Sequence, residues 1–227
     1  MIQRPRAKSG AADLSRPTVQ TVALPVADQS GYQVHSVDHA LSGELPVGAT
    51  QVTRTYLEMT SPAELRSAPV PRPEPRIERI VDCPVSFFRY LYAEVGRAFH
   101  WTDRLGWSDA TIHRHLATPG VSIWLMSWGG APAGYFELRE HDDRSVEIAY
   151  FGLLPDFIGR GWGKHLLTRA VQAAWESGTH RVWLHTCTLD HPAALPNYLK
   201  RGFRPVREEV YEVGGEAGKQ GSSEVTG

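Results

Sequence analysis

One stretch in the second half of the chain combines a strand pattern with a cluster of glycines. Residues 147–164 read EIAYFGLLPDFIGRGWGK, in which a strand-forming run ends near Leu154 and is followed by Gly159, Gly161 and Gly163. Glycines let the backbone approach a ligand closely, and the unpaired N–H groups of a newly started helix attract anions. The stretch therefore predicts a strand, turn and helix that together hold a diphosphate.

Two common phosphate-binding loops do not fit the spacing of these glycines. The dinucleotide pattern G-x-G-x-x-G requires a further glycine where Lys164 or Leu166 stands, and a Walker loop requires Ser or Thr where His165 stands. The pattern that remains is G-x-G-x-G after a Leu-Leu-Pro strand end.

This pattern resembles the turn of the GNAT (Gcn5-related N-acetyltransferase) superfamily, Q/R-x-x-G-x-G/A, which holds the diphosphate of acetyl-CoA. Gly161 and Gly163 match it, whereas Ile158 stands where the family usually has Gln or Arg, so one side-chain contact is missing. Residues 198–203, YLKRGF, are similar to the Y-x-K-x-G-F segment that closes the GNAT core. Two signatures in the family's order favour this resemblance over a plain glycine turn.

The resemblance implies acetyl-CoA as cosubstrate and a set of coenzyme contacts along the strand end and the loop. These are Leu153 and Leu154 through their backbone, followed by Gly159, Arg160, Gly161, Trp162, Gly163 and Lys164. His191 stands where the family often has Asn, seven residues before its tyrosine, and is a further candidate. A zinc site is not predicted at His185, Cys187 and His191, because no second Cys or His pair stands at ligand spacing. No metal is expected.

Acetyl transfer to an amine requires a base and an acid. Because a lysine-like amine has a reference pKa of about 10.4, a positioned base helps to remove its proton. Glu147 is the first candidate base and Glu137 the second; if residues 141–143 form a three-residue turn, the two carboxylates lie opposite each other, whereas a four-residue turn separates them. Tyr198 occupies the position of the GNAT tyrosine that protonates the departing thiolate, as the resemblance implies.

Aromatic residues are dense between positions 87 and 107, where GNAT enzymes usually build the acceptor pocket. Most of them are expected in the core, but Trp101, Asp103 and Arg104 lie in a predicted loop and are candidates for the acceptor site. Asp103 would hold an ammonium group and Arg104 a carboxylate.

The rest of the chain predicts an α/β (α+β) fold, a mixed twisted sheet flanked by helices as in the GNAT fold. The predicted elements are strand 76–81, helices 85–97 and 108–117, strands 121–127, 132–140 and 145–154, helix 162–176, strand 181–187, a helix near 192–200 that starts late or kinks at Pro196, and two short strands ending near 213. The predicted domains are a disordered or loosely attached extension (1–50), a possible edge strand and Pro-rich linker (51–75), the catalytic domain (76–213) and a disordered tail (214–227).

Charge and apolar patterning narrow the class of protein. A net charge of -1 argues against nucleic-acid binding, and the sequence has no apolar run long enough to span a bilayer. With two cysteines and no signal-peptide pattern, we expect a cytoplasmic protein, either monomer or homodimer. The predicted function is acetyl-CoA-dependent N-acetyl transfer to a primary amine of a small molecule, and the candidate acceptor residues suit an amino-acid-like one. The alternatives are a protein or peptide acetyltransferase and a non-catalytic acyl-CoA-binding module.

Overall fold

Eight strands and four α-helices form in the part of the chain that the computed structural model describes, residues 20–23 and 50–213. The strands are β1 (Gln20–Ala23), β2 (Thr50–Met59), β3 (Arg76–Ile80), β4 (Val121–Trp128), β5 (Ala131–Glu140), β6 (Val146–Leu153), β7 (Val182–Cys187) and β8 (Arg204–Val213). The helices are α1 (Val85–Gly96), α2 (Asp109–Leu116), α3 (Trp162–Glu176) and α4 (Ala194–Arg201).

All eight strands belong to one sheet, in the order β1-β8-β2-β7-β6-β5-β4-β3. Every neighbouring pair is antiparallel except β6 and β7, which are parallel. A parallel pair needs a crossover connection, and α3 supplies it. The loop that leads into this crossover contains the glycines singled out in the sequence.

The helices cover the two faces of the sheet. On one face, α3 packs on β5, β6 and β7 through an apolar stripe that is fully buried: Leu166, Leu167, Ala170, Val171 and Ala174. On the other face, α1 and α2 pack over β4, β5 and β6 and form a second apolar cluster with Phe88, Leu91, Val95 and Ile112. The spacing of the α3 stripe follows the helical period, which is why the sequence predicted this helix.

The predicted order of elements from Arg76 to Cys187 is confirmed, with ends that differ by no more than one residue. Two predictions about the remaining strands are wrong. The strand predicted at an edge over residues 51–59 lies inside the sheet, between β7 and β8, because Val52, Leu57 and Met59 are fully buried on it. The two short strands predicted near the end are the single strand β8.

The late start predicted for α4 is also observed. The helix begins at Ala194, so Pro196 stands in its first turn, where no intrahelical N–H bond is lost. The predicted tail 214–227 and most of the predicted extension 1–50 lie outside the described residues, and the domain boundaries stay predictions. Within residues 20–23 and 50–213, no helix combines the length and the apolar character needed to cross a membrane.

Candidate active site

The parallel strands β6 and β7 diverge after two residue pairs, Val146 with Val182 and Glu147 with Trp183. Beyond these pairs β6 continues to Leu153 and β7 to Cys187 without facing each other in register. A V-shaped gap therefore opens in the middle of the sheet, with Glu147 at its apex. Backbone groups that line such a gap are free to bond a ligand.

The backbone of Leu153, and not that of Leu154, faces this gap. Leu154 donates its N–H to the carbonyl of Ala133 (3.0 Å) and accepts from the N–H of Phe157 (2.9 Å), so both of its backbone groups are engaged. Because backbone groups alternate sides along an antiparallel strand, those of Leu153 point away from β5. Of the two predicted backbone contacts, the geometry supports Leu153.

The glycine loop has the conformation of an anion site at the start of α3. Gly159 and Gly161 have φ of 83° and 75°, and Gly161 is the N-cap of the helix with no side chain capping its N–H groups. A Cβ at Gly161 would meet only the Lys164 side chain, 3.7 Å away, so the left-handed backbone rather than lack of space calls for glycine here. The open helix terminus and the nearby Lys164 suit a diphosphate.

Aromatic packing fixes the shape of this loop. Trp162 is buried, and its ring stacks on Phe157 (5.6 Å between centroids) and lies 5.2 Å from the ring of Trp128. The guanidinium of Arg160 lies over the same Phe157 and Trp162 rings, at 4.8 and 5.4 Å. The Trp162 side chain thus serves packing, and only its backbone N–H is available to a coenzyme. Ile158 is 38% exposed and offers no polar group.

Glu147 is a mostly buried carboxylate flanked by two histidines. Its side chain is 11% exposed; its Oε2 lies 3.0 Å from His141 Nε2, and its Oε1 lies 4.0 Å from His185 Nε2. Burial, followed by the positive charge of Arg54, lowers the pKa of His185, and the Glu147 charge only partly opposes this. His185 is therefore held neutral beside the carboxylate.

A β-bulge brings Tyr150 to the same face of the sheet as Glu147. The register pairs Leu138 with Ile148 but Glu137 with Tyr150, so Ala149 is an extra residue in β6. Such an insertion shifts the alternation by one. The Tyr150 hydroxyl donates to Asp103 Oδ2 at 3.0 Å. Nothing in the apolar alternation of the sequence indicates this bulge, and Tyr150 was not among the predicted site residues.

The predicted pairing of Glu137 with Glu147 is wrong. Glu147 lies opposite Arg139, and Glu137 lies opposite Tyr150. The turn has three residues, as one alternative assumed, but it spans 142–144, one residue later than predicted, with His141 bonded to Ser145. The shift of the turn and the bulge together separate the carboxylates.

Glu137 is instead held in a fully buried ion pair with Arg104. Arg104 donates to both carboxylate oxygens, at 2.6 and 3.0 Å, and His115 Nε2 lies 3.0 Å from Oε1. Burial alone would raise the pKa of Glu137, but the hydrogen bonds from His115 and Arg104 hold it below its usual range. Glu137 therefore does not suit the role of base, and Arg104, stacked 4.1 Å from the Tyr150 ring, is not free to bind an acceptor carboxylate.

Replacing Arg104 by Met is expected to lower the free energy of unfolding by about 3–5 kcal/mol, because it leaves Glu137 buried without its partner. The loss should shrink as pH falls toward about 4, because burial without the guanidinium raises the pKa of Glu137 in the variant and protonation then removes the unpaired charge. In the wild type the contribution of the ion pair is complete above the carboxyl's unfolded-state pKa and is lost only as pH falls through the lower folded-state pKa. Urea unfolding at pH 7 and pH 4 measures both effects. A double variant, Arg104→Met with Glu137→Leu, should recover much of the loss; an Arg104→Met protein as stable as the wild type would contradict the ion pair.

The other predicted acceptor residues differ in their surroundings. Trp101 is half-buried and packs edge-on against Tyr150 (5.0 Å between centroids) and Tyr135 (6.4 Å). Asp103 is exposed and bonded only to the Tyr150 hydroxyl among the described residues. Of the three candidates, Asp103 presents a charged group to the surface beside the gap.

Tyr198 lies on α4, on the face of the sheet that α3 covers. Its ring packs edge-on against Phe151 (6.1 Å) and Phe203 (6.2 Å), and no group within residues 50–213 hydrogen-bonds its hydroxyl. Burial, and to a lesser degree the charge of Asp190, raises the Tyr198 pKa well above its usual value. The hydroxyl is therefore protonated at neutral pH.

His191 follows β7 and contacts the segment that follows α1. Its Nδ1 accepts from the N–H of Ala193 (3.0 Å), and its ring lies edge-on to Phe99 (5.6 Å), which follows α1. The His191 side chain therefore already makes one hydrogen bond within the protein. Among the side chains that the structure describes, no group of three or more His, Cys, Asp or Glu is arranged to hold a metal ion.

Comparison with known proteins places this site in a family. The sequence profile of the acetyltransferase (GNAT) family matches residues 88–203, just over half of the 227 residues. An uncharacterized N-acetyltransferase of Mycobacterium tuberculosis is 30% identical over 107 residues, which are 47% of this chain and 68% of the relative. A mycothiol acetyltransferase of Corynebacterium aurimucosum is 31% identical over 125 residues, 49% of this chain and 41% of that enzyme.

Solved structures agree on the fold. A GCN5-related N-acetyltransferase from Kribbella flavida matches with a TM-score of 0.54 at 20% identity, covering 76% of this chain and 61% of that one. A GCN5-related N-acetyltransferase from Sphaerobacter thermophilus matches with a TM-score of 0.55 at 14% identity, covering 73% and 52%. At these identities the likeness concerns the fold alone. Taken with the sequence matches and the gap between β6 and β7, it shows that the chain belongs to the acetyltransferase (GNAT) family and is an enzyme of the N-acetyltransferase type.

Proposed function

We propose that the protein transfers an acetyl group from acetyl-CoA to a primary amine of a small molecule, directly and within a ternary complex. The observation that carries this proposal is the gap between β6 and β7, which has a shielded carboxylate at its apex and a glycine loop with an open helix terminus at its mouth. A thioester held in the gap would meet the base at one end and the phosphate site at the other.

Acetyl-CoA suits the groups that line the gap. The family generally uses it as acyl donor. The N–H groups at the start of α3 and the Lys164 side chain would hold the diphosphate, and the backbone of Leu153 would bond the pantetheine arm. Hydrogen bonding of the thioester carbonyl by the same strand would stabilise the oxyanion that forms during attack.

Glu147 is the proposed base. At neutral pH an alkylamine is mostly an ammonium ion, so the acceptor must lose a proton before it attacks. Glu147 is shielded enough to interact strongly with an ammonium group. It shares one face of the sheet with Tyr150, whose hydroxyl bonds the exposed Asp103. Asp103 would guide the cationic amine toward it.

Tyr198 is the proposed acid for the departing thiolate. Its raised pKa keeps the proton on the hydroxyl, ready to be donated. Because thiols ordinarily titrate near 8.5, complete transfer from such a phenol is uphill. Tyr198 would therefore act first as a hydrogen-bond donor that stabilises the developing thiolate.

Direct transfer is supported by the raised pKa values of the two cysteine thiols. Burial, followed by nearby negative charge, raises the pKa of Cys83 to about 11, and burial also raises the pKa of Cys187. A thiol that is protonated at neutral pH is a poor nucleophile. An acetyl-cysteine intermediate is therefore disfavoured, and attack by the amine on the bound thioester is the simpler route.

A small-molecule acceptor is the first choice and a peptide the second. The relative from Corynebacterium aurimucosum carries the name mycothiol acetyltransferase, which favours a small molecule. A shallow depression of about 410 Å³ adjoins Trp183, the register partner of Glu147, and could accept an extended chain; its lining residues are Tyr56, Glu58, Arg181, Trp183, Val206 and Arg207. A panel of small amines and of peptides with free N-termini or lysines separates the two.

Replacing Tyr198 by Phe is expected to lower kcat by about 100-fold or more and to leave the Kd for acetyl-CoA unchanged, since the variant removes only the donated proton. Phe keeps the ring contacts with Phe151 and Phe203. Stopped thiol-release assays give kcat and calorimetry gives Kd. Wild-type turnover in this variant would exclude Tyr198 as the acid.

A further inference from the structure

His141 is the group that connects the shielded carboxylate of Glu147 to solvent. Glu147 has a side-chain exposure of 11%, whereas the His141 side chain is 29% exposed and immediately precedes the β5–β6 turn. Its Nε2 lies 3.0 Å from Glu147 Oε2, within hydrogen-bonding distance. A proton taken up by the buried carboxylate therefore has an imidazole next to it.

The surroundings of His141 distinguish it from the second histidine. His141 packs on the Trp183 ring (5.3 Å between centroids), and the charged groups that face it are Glu147 on β6 and Asp143 in the turn. His185, on β7, lies 4.0 Å from the other Glu147 oxygen, beyond hydrogen-bonding distance, and faces Arg54, Asp190 and Asp103 as well. Only the first histidine is placed to exchange a proton directly with the carboxylate.

We propose that His141 is a proton relay that passes the amine proton from Glu147 to water during each turnover. This inference rests on the proposed function of Glu147 as base. The net reaction, ammonium plus acetyl thioester giving amide plus free thiol, releases one proton. A carboxylate enclosed at the apex of the gap must lose that proton before it can accept the next.

The acceptor proton passes from the ammonium to Glu147, then to His141 and then to water. The ammonium N–H bond breaks and its proton binds Glu147; the proton then moves from Oε2 to Nε2 of His141 in the tautomer that carries its hydrogen on Nδ1. The imidazolium gives the Nδ1 proton to water, which leaves the ring with its hydrogen on Nε2. Ring rotation and proton exchange with solvent then restore the Nδ1–H tautomer before the next turnover. The free amine attacks the thioester carbonyl and the C–S bond breaks. The sulfur takes the proton that Tyr198 donates. The amide nitrogen still carries one proton too many, and that proton returns to Tyr198 through solvent or Glu147.

The direction of transfer follows from ordinary acid–base chemistry. An imidazole is ordinarily a stronger base than a carboxylate, so a proton shared between the two groups moves readily toward the imidazole. The half-exposed ring then exchanges its proton with bulk water. A side chain that can bond the carboxylate but cannot carry a proton would lack this function.

The test replaces His141 by Gln, whose amide can still donate to Glu147, and by Ala, which leaves room for a free imidazole. We expect kcat to fall by at least 10-fold in both variants, with KM for the amine changed by less than about three-fold. Added imidazole should restore the kcat of the Ala variant in proportion to its concentration and should leave that of the Gln variant low. The control is His113→Gln, an exposed histidine on α2, which should keep wild-type kcat and show no response to imidazole.

Each outcome decides the question. Wild-type kcat in the folded Gln or Ala variant overturns the relay. A reduced kcat of the Ala variant that imidazole does not raise also overturns it, because that result indicates a purely structural role. A Glu147→Gln enzyme with full activity would instead overturn the base itself. If Glu147→Gln is inactive while His141→Gln is fully active, the proposed function stands and the relay alone fails.

Discussion

Replacing Gly161 by Glu is expected to weaken acetyl-CoA binding at least 100-fold, about 2.7 kcal/mol of binding free energy. Two causes act together. A left-handed residue with a side chain costs about 1–2 kcal/mol at the φ of 75° found here. The added carboxylate also stands at the helix terminus, where it would compete with and repel the diphosphate. Calorimetric titration measures the change.

Gly178 provides a matched control for this variant. It lies just beyond the other end of α3, has a φ of 77°, and has no atom within 4 Å of the position of an added Cβ. Gly178→Glu therefore adds the same charge at the same backbone conformation, far from the loop, and should retain coenzyme affinity. Unchanged affinity in Gly161→Glu would show that the loop does not bind the diphosphate.

Replacing Glu147 by Gln is expected to lower kcat by about 100- to 10,000-fold at pH 7, with little change in coenzyme affinity, because the amide is nearly the same size but cannot take a proton. The deficit should narrow as pH rises toward the pKa of the amine, since the acceptor then loses its proton without help. Turnover measured between pH 7 and pH 10 tests this trend.

Glu140 is the control carboxylate for this experiment. It is exposed at the end of β5, opposite Val146, one residue before Glu147 in the register. Glu140→Gln makes the same change of charge nearby and should leave kcat unaffected. A Glu147→Gln deficit that stays constant across the pH range would indicate a structural role for Glu147 instead of proton removal.

The sequence predicted those elements whose cause is local, such as a helical repeat of apolar residues or a turn that needs positive φ. The apolar stripe of α3 and the glycine turn before it have local causes, the helical repeat and the need for positive φ, and both were predicted. The place of β2 in the sheet was not, because it depends on β7 and β8, which lie more than a hundred residues away. An N-terminal strand with a buried face fits an edge or an interior equally well on its own pattern.

The candidate site shows the same division. Glu147, Tyr198 and the glycine loop follow from motifs, whereas the partners of Glu137 and the place of Tyr150 depend on one bulged residue. A bulge changes the face of every residue beyond it and leaves no mark in the composition. Arg104 was assigned to the acceptor because it lies in a predicted loop between helices, but only the folded chain shows that it reaches across to the buried Glu137.

The most direct test of this account measures free thiol release from acetyl-CoA by the purified protein with a panel of small primary amines. We expect saturable thiol release that depends on the amine, with one molecule of acetylated amine formed for each thiol and almost no release with Glu147→Gln. Acetyl-CoA binding without amine-dependent release from any small amine, together with release when a peptide is supplied, would contradict the proposed acceptor. No release with either class would contradict the proposed reaction.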